Sequence, residues 1–194
     1  MFYRIIWCIL QVYFFVFYRL IINGKNNIPG TGSLIVCSNH ASLLDPVVLA
    51  MITKRRIYYM AKKELFDIKL LRIIIENLGA FPVDRQATDI KAYKKVIELL
   101  EEGCIVGIFA QGGRADEQMV KNARAGAALF ALKTSAQIIP VAINSSYKFF
   151  SKITINIGPA LNISGYRNKK IKTENLNKIT DEIINKINEL LKGK

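Results

Sequence analysis

The chain is poor in histidine, cysteine and acid. It has one histidine, His40, and three widely separated cysteines, Cys8, Cys37 and Cys104. These residues have neither the spacing of a zinc site nor that of a disulfide framework. No metal or other cofactor is therefore expected, and a reducing, cytoplasmic side is the natural compartment. Acid is outnumbered, with 15 Asp and Glu against 28 Lys and Arg and a formal net charge of +13. Such an excess implies polyanionic company: nucleic acid, an anionic membrane surface or phosphorylated substrates. No Pro/Gly/Ser-rich linker and no internal repeat divides the 194 residues, so one domain with an N-terminal appendage is expected.

A hydrophobic run long enough to span a bilayer is also lacking. Residues 5–18 lie between Arg4 and Arg19 with only Gln11 plainly polar, and they include Trp7, Tyr13, Phe14, Phe15, Phe17 and Tyr18. A helix from Arg4 to Arg19 would extend about 22 Å against a hydrocarbon core of roughly 30 Å. Residues 1–22 are therefore expected to form a membrane-embedded or interfacial helix, with residues 23–194 as the remaining domain. No small-residue cleavage site follows the run, which argues against a signal peptide. A buried core helix is the alternative. Nucleic-acid binding would not need such a segment, so nucleic acid is not expected as a partner.

Short apolar runs at residues 33–38, 56–61, 80–83, 104–109, 138–143 and 152–157 read as strands. Segments 46–53, 65–78, 88–102 and 124–135 read as helices between them, and Leu176, Ile179, Ile183, Ile187 and Leu190 mark an amphipathic C-terminal helix. This alternation predicts an α/β fold with a largely parallel sheet flanked by helices.

What is present is most informative at residues 39–46, Asn-His-Ala-Ser-Leu-Leu-Asp-Pro. It puts His40 five residues before Asp45, directly after a predicted strand. A histidine oriented by a carboxylate can deprotonate an alcohol near neutral pH without a serine nucleophile. Asp45 has a second reading as a helix N-cap ahead of Pro46. On one continuous helix the two residues would diverge by about 140°, so a turn must separate them. Two further strand ends carry positive charge: Gly79-Ala80-Phe81-Pro82-Val83-Asp84-Arg85 and Phe109-Ala110-Gln111-Gly112-Gly113-Arg114. Ligands of open α/β sheets gather at such ends, where glycine-turn amides and arginine suit phosphate.

These blocks resemble the glycerolipid acyltransferases, in particular the bacterial 1-acyl-sn-glycerol-3-phosphate acyltransferases. Residues 39–46 are similar to that family's NHxSxxDP block, GAFPVDR to its GxxFxxR block, and Ile138-Ile139-Pro140-Val141-Ala142-Ile143 to its fourth. Met60-Ala61-Lys62-Lys63-Glu64-Leu65-Phe66 also looks typical. The third block departs, reading FAQGGR where the family usually has FPEGTR, so that Ala110, Gln111 and Gly113 stand in place of Pro, Glu and Thr.

The resemblance implies a membrane-bound enzyme on the cytoplasmic face. It would move a fatty acyl group from acyl-CoA or acyl-carrier protein to the sn-2 hydroxyl of lysophosphatidic acid. His40 would be the base and Asp45 its partner. Arg85, Gln111, Gly112, Gly113 and Arg114 would meet the acceptor, with Lys62 as a helper. An anionic phospholipid membrane is the implied surface partner. Another acceptor, glycerol-3-phosphate or a lyso-aminolipid, remains an alternative, as does a non-catalytic lipid-binding homologue.

Overall fold

The computed structural model describes residues 2–84, 89–112, 119–121, 123–167 and 169–193. Seven strands form one sheet in the order β1-β7-β6-β2-β5-β3-β4. They are β1 Arg19–Asn23, β2 Leu34–Ser38, β3 Ile57–Lys62, β4 Ala80–Val83, β5 Ile105–Phe109, β6 Gln137–Ser145 and β7 Lys152–Ile157. Every pairing is parallel except β6 with β7. The helices are α1 Phe2–Phe17, α2 Asp45–Leu49, α3 Lys69–Asn77, α4 Ile90–Glu101, α5 Gly126–Lys133 and α6 Thr173–Leu191.

Strand β2 is central and buried at all five positions, as expected of a continuous apolar run covered on both faces. Its alternating side chains feed two cores. Ile35 and Cys37 face α4, α5 and α6, whereas Leu34 and Val36 face α1 and α2. Chain order diverges at β2, with β5 on one side and β6 on the other. Such a switch point opens a crevice at the carboxyl ends of the strands.

The N-terminal segment departs from expectation. Its helix stops at Phe17, and residues 19–23 enter the sheet as β1, so the expected boundary at residue 22 falls inside a strand. An apolar run without clear period cannot distinguish the two states. Phe14 and Tyr18 are buried in the core, while Ile5, Ile9, Val12, Phe15 and Val16 are exposed. Trp7 donates its indole N–H to the Ala50 carbonyl at 3.1 Å. Among the described residues, no helix is long and apolar enough to cross a membrane.

The helix expected at residues 65–78 is likewise divided. A 3₁₀ turn covers Lys63–Phe66 and α3 starts at Lys69. None of α3's residues is buried, although Leu70, Leu71, Ile73, Ile74 and Ile75 are aliphatic.

Candidate active site

At the end of β2 the chain must leave the sheet without losing its ladder. Asn39 solves this with its side chain, which accepts from the Ile143 N–H at 2.8 Å and donates to the Ile143 carbonyl at 2.9 Å. The amide thus extends pairing to β6 while the backbone turns away. His40 follows immediately and lies flat on Phe109, with ring centroids 4.0 Å apart and planes 19° apart. Phe109 is stacked in turn by Tyr59 at 6.2 Å, and the Tyr59 hydroxyl donates to the Pro46 carbonyl. Gly107 makes room for this stack, since a Cβ there would stand 2.2 Å from Tyr59 Cε1.

A turn brings His40 and Asp45 together, as the sequence predicts. His40 Nδ1 lies 2.9 Å from Asp45 Oδ2. The same oxygen accepts the Ala41 and Ser42 N–H groups at 2.7 Å each. Asp45 is the first residue of α2, following Leu44 as cap. Its carboxylate reaches back into the preceding turn, so the N-cap reading gives way to an orienting role. Tyr147 donates its hydroxyl to the other oxygen, Oδ1. Burial pushes the Asp45 pKa up, but the hydrogen bonds from His40, Ser42, Tyr147 and Ala41 outweigh it and hold the group below its ordinary value. Burial and the facing Asp45 charge keep Tyr147 protonated, its pKa far above the usual phenol range.

An ionised Asp45 can only accept. The imidazole proton therefore sits on Nδ1, leaving the Nε2 lone pair as the basic atom. His40 lines a cavity of about 250 Å³ with the largely apolar Met60, Tyr93, Ile108 and Phe130 and the charged Asp84, Asp89 and Arg124. Arg124 crosses the turn after β5, where Gly112 has φ +69° and a Cβ would meet Arg124 Cδ and Nε at 2.8 Å.

The other expected contacts are less uniformly placed. Arg85, Gly113 and Arg114 lie outside the described residues. The Gly112 N–H, expected to face a phosphate, donates instead to the Phe109 carbonyl at 2.9 Å. Lys62 is exposed at the end of β3, 3.3 Å from Glu64, and is not among the described residues lining the cavity. Gln111 is half-buried, and its Oε1 has no hydrogen-bond partner among the described residues. Sequence reasoning missed two residues. Tyr147 is 102 positions from Asp45, and Arg124 stands at the start of an Ala-rich segment whose pattern only announces a helix. Among the described residues, no cluster of His, Cys, Asp and Glu is suited to a metal.

A histidine tied to a carboxylate, set over a cavity at a parallel-sheet switch point, is an arrangement suited to activating a hydroxyl for group transfer. A sequence model of the acyltransferases matches residues 19–144. The 1-acyl-sn-glycerol-3-phosphate acyltransferase of Bacillus subtilis is 32% identical over 86% of this chain and 89% of its own. That of Borreliella burgdorferi is 26% identical over 87% and 72%. The crystal structure of the 1-acyl-sn-glycerophosphate (LPA) acyltransferase of Thermotoga maritima superposes with a TM-score of 0.77 at 25% identity, covering 99% of this chain and 80% of that one. The chain belongs to the 1-acyl-sn-glycerol-3-phosphate acyltransferase family, and it is an enzyme.

Proposed function

We propose that the enzyme acylates the sn-2 hydroxyl of lysophosphatidic acid from acyl-CoA or acyl-carrier protein, giving phosphatidic acid for phospholipid biosynthesis. The observation that carries this reading is the His40–Asp45–Tyr147 relay, whose basic nitrogen is left for a ligand beside a largely apolar cavity. His40 Nε2 takes the hydroxyl proton as the alcohol oxygen attacks the thioester carbonyl. The tetrahedral intermediate then expels the thiolate, which recovers that proton from the imidazolium. No acyl-enzyme is required. Asp45 stabilises the transient imidazolium charge, and its own hydrogen bonds keep it ionised for that purpose.

Arg85, Arg114 and the Gly113 amide are assigned to the acceptor phosphate, with Lys62 as a long-range helper. Arg124 joins them from the wall of the cavity. The exposed apolar face of α1 is assigned to the cytoplasmic leaflet, lying in it rather than spanning it. Purified protein in detergent, given labelled acyl-CoA or acyl-carrier protein, should acylate lysophosphatidic acid in preference to glycerol-3-phosphate or a lyso-aminolipid. A different preferred acceptor would revise the substrate. Inactivity with every acceptor and both donors would remove the reading.

A further inference from the structure

The loop between β6 and β7 holds two unusual residues. Tyr147 and Phe150 adopt left-handed backbone conformations, φ 54° and 61°, and are the non-glycine residues with positive φ among the described part of the chain. For bulky side chains this conformation is strained, and such strain gathers at functional sites. At one end of the loop, Tyr147 holds Asp45. At the other, Phe149 and Phe150 are 66% and 75% exposed.

The two phenylalanines continue the surface of α1. Phe149 lies 6.0 Å from Phe17 and stacks on Tyr18 at 6.3 Å, and Phe150 lies 6.3 Å from Phe17. The Phe150 N–H donates to the Phe17 carbonyl at 2.8 Å, and Ser151 accepts from the Arg19 N–H at 3.1 Å. Val12, Phe15 and Val16 are also exposed, in the last two turns of the same helix. The segments that carry these apolar residues have charge of one sign. Residues 1–44 and 118–173 contain no Asp or Glu, while Arg19, Lys148 and Lys152 flank the phenylalanines. These acid-free segments supply α1, β1, β6 and β7, one whole side of the sheet.

Apolar side chains flanked by basic ones match the interface of an anionic bilayer, with rings in the acyl boundary and cations among the headgroups. We propose that the β6–β7 loop is a second membrane-inserting element, a wedge in which Phe149 and Phe150 enter an anionic leaflet beside α1. The proposal rests on the lipid acyltransferase reading for its purpose. Because Tyr147 precedes Phe149 by two residues, insertion places the His40–Asp45 pair within one loop of the headgroup plane. The acceptor then reaches the base without leaving the leaflet.

The test is flotation of the full chain with vesicles of phosphatidylcholine alone or mixed with phosphatidylglycerol, which needs no substrate and so stands apart from the activity assay. Phe149→Ser with Phe150→Ser should weaken partition into the anionic vesicles about tenfold or more, since two buried aromatic rings are lost. Lys148→Glu with Lys152→Glu should weaken binding to anionic vesicles and leave neutral ones unaffected. Phe150→Trp keeps the wedge, and its emission should be quenched by brominated acyl chains beyond the quenching of the native chain, whose sole tryptophan is Trp7. Unchanged partition of the double serine variant, or no added quenching of Phe150→Trp, overturns the proposal. So does a change in sedimentation without one in vesicle binding, which would make the loop a contact between copies of the chain.

Discussion

His40→Ala removes the proposed base but leaves Asp45 with three donors, the Ala41 and Ser42 N–H groups and the Tyr147 hydroxyl. Turnover should fall by about 10² to 10⁴-fold, the usual contribution of general base catalysis, with thermal stability close to native. Asp45→Asn differs. A cap role predicts near-normal behaviour, since asparagine caps as well as aspartate. Here the amide oxygen can keep the His40, Ala41 and Ser42 donors while the NH₂ faces Tyr147, whose hydroxyl must turn round to accept, but the negative charge is gone. Activity should therefore drop with the lost charge, and stability by about 1 kcal/mol as charge-assisted hydrogen bonds become neutral ones, read by urea denaturation. The native Asp45 pKa is depressed, so its stabilising contribution is complete above the unfolded value of about 3.9 and is lost as pH falls through the lower native value. In Asp45→Asn this acid-dependent component should vanish from the pH profile of stability. Gln111→Glu should alter acceptor preference among lysophosphatidic acid, glycerol-3-phosphate and an uncharged lysolipid more than maximal turnover, because it puts a charge where a neutral carbonyl has no hydrogen-bond partner among the described residues. The His40–Asp45 pair was legible because one turn contains both residues. Tyr147 was not, because its contact depends on where β6 ends.

At the scale of elements, the site depends on a glycine in the strand next to β2. Gly107→Ala would press a methyl group into Tyr59. That ring backs Phe109, which backs His40. Overpacking of this kind costs about 1 to 3 kcal/mol, and loss of the flat support should also lower turnover per folded molecule. A variant as stable and active as the native chain would show that the stack is dispensable. The inner strands were readable because buried parallel strands are short apolar runs bounded by turn residues, as in β2 and β5. The edge strand β1 was not, since only Arg19 separates its Leu-Ile-Ile from the apolar run of α1. Nor did sequence foretell the break near Ile68, where five aliphatic residues imply burial that α3 lacks.

At the scale of the whole molecule, α1 and β1 are structural as well as superficial. Deleting residues 1–22 would strip nearly all of β1, uncover the edge of β7 and remove Phe14 and Tyr18 from the core. Such a protein should show a lowered melting temperature and a tendency to aggregate, so its loss from membranes would not by itself identify an anchor. The β1–β7 pairing also fixes an order of events during synthesis. Asn23 and Asn156 bond across 133 positions, so at about 5 to 20 residues per second β1 waits on the order of ten seconds for its partner. Throughout that interval β1 has no partner strand, and a nascent chain must shelter it by other means. The lipid surface on which the finished enzyme is proposed to work would then also serve as its cradle on the ribosome.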